Sequence, residues 1–400
     1  MVCYGAVVGL AARSDAGGKS LIAPRSGRLV RRANHGYQPH HPNRAVFRAS
    51  PPSEGSSVKR LLITGPKQAV FEEVERPDCG PEEVVVRAKV TAISTGTELR
   101  VFRAIPVDEA GHFLHERVPF ALPVENGYSM VGEIVEVGSL IQGLQIGDRV
   151  FVPAPHKEFA AVKADLVTPL PDCVADDEAV LLSILEVAHR ALRQGEPPAG
   201  GNLAIVGQGV VGLSVLAYAV AFGFRTAVLD FSSERLEIAQ QMGAGLAVSP
   251  NDSAVPEKVV EFFDGEGADV VFEAASHWSA VRSAMEIARL DGKVVLVSRH
   301  TARPEFNPAG HPFLGKRLNL VTSYDYPPAG HRWSRPRSLA LTMHLLAQQR
   351  LNLRPMLTHS FDWCELPDYY RRLDQGELGV VAAVAQWNNS NTEQGMSNDE

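Results

Sequence analysis

The chain has 400 residues, of which 45% are apolar and 21% charged; this is long enough for two or three domains and typical of soluble globular proteins. Four scattered cysteines exclude a disulfide-stapled scaffold and a Cys-rich zinc lobe. The first 50 residues carry eight basic side chains and one acidic one, whereas residues 51–400 carry 31 basic and 45 acidic side chains. An acidic body repels phosphate backbones, which argues against nucleic acid as the main partner.

Residues 1–57 form an Arg-rich leader that we expect to be disordered or a transit peptide. A start codon placed upstream of the real one explains the same composition. The expected location is therefore the cytoplasm, or a plastid or mitochondrion if the leader is a genuine transit peptide. The polar tail, residues 389–400, is predicted to be disordered, and we expect no chemistry in either segment.

Residues 58–186 are predicted to form a β-rich domain. Runs of β-branched residues, broken by Gly, Pro and Asp, occur at 58–66, 82–94, 129–138 and 148–153. Their close spacing predicts a small barrel or sandwich.

Residues 187–325 alternate short apolar strands with helical patterns, which predicts an α/β domain with a doubly wound parallel sheet. The predicted strands are 203–207, 226–230, 245–249, 269–275, 293–299 and 318–324. The nearly apolar segment 203–224 is about long enough to span a bilayer, but it contains four glycines. It is therefore predicted to be a strand, a glycine turn and a helix, and we expect no membrane partner.

A Gly-x-Gly-x-x-Gly motif links the first of these strands to an apolar helix, and the second strand ends in an acidic residue. In that context the motif is typical of dinucleotide binding, because its glycines allow a tight turn, a close approach to the pyrophosphate and close helix packing. The residues predicted to bind the cofactor are Gly207, Gln208, Gly209, Val210, Val211, Gly212, Asp230 and Arg235. The alternative is a glycine turn without a ligand.

Asp230 indicates which dinucleotide is preferred. A carboxylate at this position accepts hydrogen bonds from the ribose hydroxyls and repels a 2′-phosphate, so NAD is favoured over NADP. Two basic side chains nearby, Arg225 and Arg235, weaken this preference. Arg235 is equally typical of an exposed helix surface.

The domain order and four segments resemble those of the medium-chain dehydrogenase/reductase superfamily, whose members are alcohol dehydrogenase-like. The segments are Gly96-Thr97-Glu98, residues 124–138, Gly147-Asp148-Arg149-Val150, and the glycine motif with Asp230. The resemblance covers residues 58–388. It implies a GroES-like β-rich catalytic domain at 58–186, an NAD-binding Rossmann domain at 187–325, and a return segment at 326–388.

The zinc ligands of the zinc-dependent members are replaced in this sequence. Thr95 stands where those members have a ligand Cys, Tyr128 where they have a ligand His, and Ser129 where they have a Glu. Thr and Tyr are not usual zinc ligands, so we expect no metal. Glu98, whose counterpart orients the ligand His, is expected to hydrogen-bond Tyr128, either as a proton-transfer pair or merely as a buried structural pair.

The predicted catalytic residues are therefore Thr95, Glu98 and Tyr128. Glu186 and His189 lie three residues apart on one helix face at the domain junction, and either is a candidate proton relay. The alternative is a helix-face pair with no role in catalysis.

The resemblance implies a zinc-independent NAD(P)-dependent oxidoreductase that transfers hydride to or from a secondary alcohol or ketone of a small-molecule substrate. The Thr95–Glu98 and 124–138 segments resemble a zinc-poor branch that includes bacteriochlorophyllide 3-hydroxyethyl dehydrogenases, so a tetrapyrrole side chain is one expected substrate. The alternatives are an NAD-assisted lyase or epimerase and a non-catalytic dinucleotide-binding protein. By analogy with many relatives, strand 319–324 is expected to pair across the twofold axis of a homodimer.

Overall fold

The structure, a computed structural model, describes residues 57–105, 121–300, 302–324, 332–377 and 379–387. These residues belong to one compact unit. The predicted leader before Ser57 and the predicted tail, residues 389–400, lie outside the described residues.

Strands and helices alternate through most of the described chain. The strands are β1 Ser57–Gly65, β2 Gln68–Glu75, β3 Glu83–Ile93, β4 Val124–Glu125, β5 Met130–Val137, β6 Arg149–Val152, β7 Phe159–Lys163, β8 Thr168–Pro169, β9 Asn202–Val206, β10 Arg225–Leu229, β11 Leu246–Val248, β12 Ala268–Glu273, β13 Ala288–Leu296, β14 Asn319–Thr322, β15 Leu357–Asp362 and β16 Ala382–Gln386. The helices are α1 Thr97–Arg103, α2 Asp176–Ala179, α3 Leu182–Gly195, α4 Val210–Ala221, α5 Ser233–Gln241, α6 Val255–Phe262, α7 Trp278–Ile287, α8 Arg335–Ala347 and α9 Leu366–Asp374. Short 3₁₀ turns occur at Ala164–Leu166, Arg354–Met356 and Trp363–Glu365.

The first domain is built from two sheets. One has the order β2-β1-β4, and the other has the order β15-β16-β3-β5-β6-β8, with β7 also paired to β3. Apart from the parallel β15–β16 pair, the pairings in these two sheets are antiparallel. The valines of β3 at positions 84–86 are fully buried, and this run pairs with β5 on one side and β7 on the other.

The second domain is the predicted doubly wound sheet. Its strands are all parallel, in the order β11-β10-β9-β12-β13-β14, so the strand order reverses between β9 and β12. In such sheets ligands bind beyond the carboxyl ends of the strands at this reversal. The predicted fold class, a GroES-like β-rich domain with a Rossmann-type domain, is confirmed.

Two helices connect the domains. α3 spans the predicted boundary at residue 186 and packs against α4 and α8. The return segment divides: α8 packs on α3, whereas β15 and β16 join the sheet of the first domain. The junction of the domains therefore lies along α3.

The apolar segment 203–224 forms β9, a turn and α4, as predicted. Most of α4 is buried because it packs against the sheet and α3. Within the described residues, no helix combines the length and the apolar character needed to cross a membrane.

Candidate active site

The glycine turn, residues 207–212, joins β9 to α4 at the carboxyl end of the parallel sheet. Gly207 has a φ of +93°, which disfavours a side chain, and its N–H donates to the carbonyl oxygen of Leu229. A Cβ at Gly212 would lie 1.8 Å from the carbonyl oxygen of Gly207, so the close packing there requires glycine. A Cβ at Gly209 would meet no atom within 4 Å, which shows that space beside the turn is open.

The first turn of α4 faces this space with backbone amides. The helix begins at Val210 and Val211, and within the described residues no side chain caps its N-terminus. Free amides and the helix dipole attract phosphate charge. The open space at Gly209 and these amides therefore fit the pyrophosphate of a dinucleotide.

Asp230 follows β10 and fixes the shape of the glycine turn. Its Oδ2 accepts the backbone N–H of Gln208 at 2.6 Å, and its Oδ1 accepts that of Ser232 at 2.9 Å. Each carboxylate oxygen keeps a further lone pair, so Asp230 fits ribose hydroxyls as well. Arg235 lies on α5 and extends Nη2 to within 3.5 Å of the carbonyl oxygen of Val380.

Two other side chains near the turn have structural partners. Gln208 is fully buried, and its Nε2 donates to the carbonyl oxygen of Ile205 at 2.9 Å. Arg225 lies at the opposite end of β10 from Asp230, where its guanidinium pairs with Asp264. Arg225 therefore lies away from the end of the strand where Asp230 is expected to meet the ribose.

Glu273 lies at the carboxyl end of β12. The sequence did not predict the hydrogen-bond partners of its carboxylate. It is fully buried, and Oε1 accepts the N–H groups of Ala275 and Ser276, both at 2.8 Å. Oε2 accepts from the Ser298 hydroxyl at 2.6 Å and lies 2.7 Å from Nε2 of His300. Glu273 therefore holds together the loops that follow β12 and β13.

Tyr128 lies where the first domain meets α3. Its half-buried ring packs against the apolar core that includes α3 and α4, and its carbonyl oxygen accepts from the Ser183 hydroxyl at 3.0 Å. Its own hydroxyl donates to Oγ of Ser94 at 2.5 Å, and Thr97 also contacts the phenol. We call Ser94, Thr97 and Tyr128 the hydroxyl cluster. Thr95 lies half-buried within the same turn, between β3 and α1.

Glu98 has partners that differ from the prediction. The expected Glu98–Tyr128 hydrogen bond is wrong, because other donors already use the carboxylate. Oε1 accepts the backbone N–H of Ser94 at 2.9 Å; Oε2 accepts from the Tyr370 hydroxyl and lies 3.0 Å from Nε2 of His156. Glu98 is thus next to the hydroxyl cluster and acts on Tyr128 through its charge.

The partners of Glu98 continue into a buried polar chain that sequence reasoning missed. Nδ1 of His156 lies 2.8 Å from Oγ1 of Thr91, which also accepts from Nε1 of Trp387 at 2.9 Å. His156 is 58 residues from Glu98 in sequence and Tyr370 is 272 residues away, so no local pattern indicates these contacts. Thr97, in contrast, is part of the Gly-Thr-Glu segment and was open to prediction.

The environment of Tyr128 keeps its phenol protonated. Burial, and then the charge of Glu98, raise the pKa of Tyr128 to about 12, although contacts with the hydroxyls of Ser94 and Thr97 offset part of the rise. Burial and the adjacent Glu98 likewise raise the pKa of Tyr370 well above its ordinary value. At neutral pH both phenols are therefore hydrogen-bond donors.

Glu186 and His189 are both buried on the face of α3 that packs against α8. Glu186 pairs with Arg335, with 3.0 Å between Oε1 and Nε, and Nδ1 of His189 lies 2.6 Å from Oγ of Ser338. Burial, aided by the charge of Arg193, lowers the pKa of His189 to about 4, so it is neutral near pH 7. These contacts favour the alternative in which the pair holds two helices together.

The residues at the zinc-ligand positions do not fit a zinc ion. The Tyr128 hydroxyl donates to Ser94, and the Ser129 hydroxyl donates to the carbonyl oxygen of Val180 at 2.7 Å. In the part of the chain that the structure describes, no three His, Cys, Asp or Glu side chains are grouped so that they could hold a metal ion.

Comparison with known proteins identifies both domains. Residues 80–172 match the alcohol dehydrogenase GroES-like domain, and residues 210–333 match a family described as zinc-binding dehydrogenase. Together these matches cover more than half of the chain. The chain belongs to the medium-chain dehydrogenase/reductase superfamily. The zinc-binding dehydrogenase match does not include Thr95, Tyr128 or Ser129.

Individual members of this superfamily are similar over nearly their full length. Sorbitol dehydrogenase of Halalkalibacterium halodurans is 23% identical over 355 residues, which are 80% of this chain and 97% of the relative. The crystal structure of 2R,3R-butanediol dehydrogenase from Bacillus subtilis has a TM-score of 0.69 at 24% identity and covers 83% of this chain and 100% of that one. An Escherichia coli alcohol dehydrogenase complexed with NADH has a TM-score of 0.69 at 21% identity, with coverage of 83% and 100%.

The family assignment confirms the resemblance to the medium-chain dehydrogenase/reductase superfamily and the prediction of an NAD(P)-dependent oxidoreductase of the alcohol dehydrogenase type. The roles of the individual site residues stay predictions.

Proposed function

We propose that this dehydrogenase interconverts a secondary alcohol and a ketone with NAD and without zinc, and that Tyr128 exchanges the proton with the substrate oxygen. The observation that carries the proposal is the protonated Tyr128 phenol at the domain junction. It stands at a position where the zinc-dependent members have a metal ligand. A neutral phenol is able to polarise a carbonyl oxygen by donating a hydrogen bond to it.

The hydroxyl cluster supports this role for Tyr128. When the phenol gives its proton to an oxygen that is becoming an alkoxide, the hydroxyls of Ser94 and Thr97 are near enough to stabilise the phenolate. The charge of Glu98 acts in the opposite direction and favours the protonated phenol. The site therefore keeps the phenol in its protonated form, which is the form that carbonyl reduction requires, and the two hydroxyls offset part of the cost of giving up the proton.

The glycine turn, with Asp230, is the proposed dinucleotide site. A bound nicotinamide dinucleotide supplies or accepts the hydride. The amides at Val210 and Val211 bind the pyrophosphate, and Asp230 accepts from the adenosine ribose hydroxyls. The Asp230 carboxylate disfavours a 2′-phosphate, which supports NAD over NADP.

The proposed substrates are polyols and other secondary alcohols, or the corresponding ketones. Sorbitol and butanediol dehydrogenases are among the similar proteins, which supports this class. The Thr95–Glu98 segment also resembles dehydrogenases of a hydroxyethyl tetrapyrrole, so such a tetrapyrrole belongs in the substrate panel.

The test measures turnover of this substrate panel by the wild type and by Tyr128→Phe. The rate is monitored as the change in NADH absorbance at 340 nm. Loss of a general acid typically lowers a rate by a factor of 10² to 10⁴, and we expect a loss of about 100-fold. Tyr369→Phe is the matched control, because within the described residues the buried Tyr369 hydroxyl makes no hydrogen bond. An unchanged rate in Tyr128→Phe contradicts the proposed role.

Two further results decide between this proposal and its alternatives. A lyase or epimerase that reoxidises its own cofactor changes its substrate with no net change at 340 nm. Stoichiometric zinc in the purified, active protein, found by elemental analysis, contradicts the proposed zinc-free reaction.

A further inference from the structure

We propose that His156 is a positioning residue: it acts through Glu98, and through the loop that carries Tyr128, to set the hydrogen bond between the Tyr128 phenol and Ser94. The inference rests on the proposed function, because it names the residue that holds the proposed proton donor in its working position. The imidazole of His156 is buried and lies in the loop between β6 and β7. Its role is to hold the groups that react rather than to exchange a proton with the substrate.

Glu98 holds the backbone of Ser94 on both sides. Its Oε1 accepts the backbone N–H of Ser94 at 2.9 Å, and its own backbone N–H donates to the carbonyl oxygen of Ser94, also at 2.9 Å. The Ser94 hydroxyl is the acceptor for the Tyr128 phenol. A displacement of the Glu98 carboxylate therefore moves the oxygen to which the proposed proton donor is bonded.

His156 holds the carboxylate of Glu98. Its Nε2 lies 3.0 Å from Oε2 of Glu98, and the exposed fractions of the two side chains are 0% and 1%. The same oxygen accepts from the Tyr370 hydroxyl. A buried carboxylate is costly unless hydrogen bonds satisfy its oxygens, so the loss of one donor changes the position of this carboxylate or its charge.

The hydrogen bonds on the other side of the imidazole determine which ring nitrogen carries the proton. Nε1 of Trp387 is able only to donate, and it donates to Oγ1 of Thr91 at 2.9 Å. The Thr91 hydroxyl keeps its own proton for Nδ1 of His156, which lies 2.8 Å away. Nε2 then carries the ring proton and donates it to Glu98. Each link of this chain has one donor and one acceptor, so the chain fixes the orientation of the ring.

His156 also contacts the loop that carries Tyr128. Its backbone N–H donates to the carbonyl oxygen of Asn126 at 2.9 Å. A Cβ at Gly127 would lie 2.7 Å from Cδ2 and 2.9 Å from Nε2 of the imidazole, so the loop packs directly on the ring. The Asn126 side chain in turn donates to the carbonyl oxygen of Glu98 at 3.3 Å. His156 therefore joins the two segments whose hydroxyls meet in the hydroxyl cluster.

The first experiment compares two amide replacements of the imidazole. The side chain in His156→Gln is long enough to donate to Glu98 from the position of Nε2, whereas that in His156→Asn is one carbon shorter and ends before it. A misplacement of about 1 Å in a reacting group costs up to about 100-fold in rate. We expect kcat to fall about tenfold to 100-fold in His156→Asn and less than about threefold in His156→Gln, with the KM for NADH unchanged in both.

These rates are able to overturn the proposal in two ways. A kcat in His156→Asn equal to that of the wild type contradicts it. Equal losses in the Asn and Gln variants also contradict it, because the bond to Glu98 then has no effect. If His156→Asn does not fold, Thr91→Val keeps the imidazole and removes the hydroxyl that orients it. We expect kcat to fall about threefold to tenfold in this variant, and an unchanged kcat there contradicts the proposal.

A double-mutant cycle distinguishes the positioning of Tyr128 from general damage to the fold. In Tyr128→Phe there is no phenol to position, so His156→Asn is expected to have no further effect on the residual rate. A loss by the same factor in both backgrounds overturns the proposal. His359→Asn is the matched control, because it replaces a half-buried histidine on β15 whose Nδ1 lies 2.9 Å from a threonine hydroxyl. It is expected to leave kcat unchanged.

The closing experiment observes Tyr128 in the resting protein and separates this inference from the proposed function. In protein labelled with [¹³Cζ]tyrosine, the NMR resonance of Tyr128 is assigned among the eight tyrosines by its absence in Tyr128→Phe. We expect the resonance to shift in His156→Asn and to keep its wild-type position in His156→Gln. A shift in a protein whose turnover does not depend on Tyr128 contradicts the proposed function and leaves the positioning role. An unshifted resonance contradicts the positioning role, whether or not turnover depends on Tyr128.

Discussion

The raised pKa of Tyr128 predicts different pH dependences for alcohol oxidation and ketone reduction. Because its pKa is raised to about 12, the phenol is protonated and able to donate throughout the neutral range. Alcohol oxidation needs the opposite form, the phenolate, whose fraction rises about tenfold for each pH unit below the pKa.

We therefore expect kcat/KM for alcohol oxidation to rise with pH between about 7 and 10, while that for ketone reduction stays nearly level with respect to this group. Initial rates in both directions at saturating NAD⁺ or NADH measure this difference. In Tyr128→Phe the slope of the oxidation profile is expected to disappear. A plateau in the wild-type oxidation rate at neutral pH contradicts a phenol with so high a pKa.

Individual residues were predictable where a motif is local. Tyr128, Glu98 and Thr95 lie in two short segments, and the structure brings those segments to one place. The Glu98–Tyr128 bond was mispredicted because the competing donors, Tyr370 and His156, come from a distant helix and a distant loop. Sequence spacing gives no account of donors that only the folded sheet brings together.

Two substitutions in the glycine turn are expected to have different effects, one on stability and the other on cofactor binding. Gly212→Ala places a Cβ against the carbonyl oxygen of Gly207, so we expect the free energy of unfolding to fall by about 1–3 kcal/mol. Gly209→Ala adds a methyl group to open space at a φ of −74°, so the fold is expected to keep its stability.

Gly209→Ala, the variant that keeps its stability, is the one expected to bind the cofactor more weakly. In Gly209→Ala the methyl group occupies the space proposed for the pyrophosphate, and we expect NADH to bind about tenfold more weakly. Urea denaturation and NADH fluorescence titration measure the two effects. Equal NADH affinity in Gly209→Ala and wild type is incompatible with the proposed position of the pyrophosphate.

A strand was predictable from the sequence where its burial requires a run of apolar residues. The most buried strands of the parallel sheet, β9, β10 and β12, are largely apolar runs and were expected. β2 carries three glutamates, and β15 mixes polar and apolar residues with only Phe361 buried, so neither shows a strand pattern of its own. Their structure comes from pairing with β1 and β16.

At the scale of the whole molecule, β14 is the strand through which we expect two copies of the chain to pair. It is the last strand in the order of the parallel sheet, with one neighbour, β13, within the described residues. An unpaired strand edge is able to pair with a second copy. We expect sedimentation equilibrium to give twice the chain mass of 43.3 kDa.

Charge at the exposed positions of β14 is expected to prevent that pairing. Asn319→Lys with Thr322→Lys places two cations at the edge and is expected to give a folded monomer. Glu237→Lys on α5 is the control for a change of charge away from β14. A dimer that survives the double substitution shows that another surface joins the subunits.

The domain order followed from the alternation of patterns, but the route of the chain after residue 325 did not. α8 packs on α3 through contacts of Arg335 with Glu186 and of Ser338 with His189, and each pair is 149 residues apart in the sequence. Such a pairing depends on three-dimensional packing rather than on any local period.

Asp230 holds the backbone of Gln208 while it faces the proposed ribose site, so one side chain carries two duties. Replacing it with a neutral or basic residue to admit a phosphorylated ribose also releases an amide that shapes the diphosphate cradle. Engineering of coenzyme preference in this protein therefore has to supply a new acceptor for that amide, or the gain at the sugar is lost at the neighbouring phosphates.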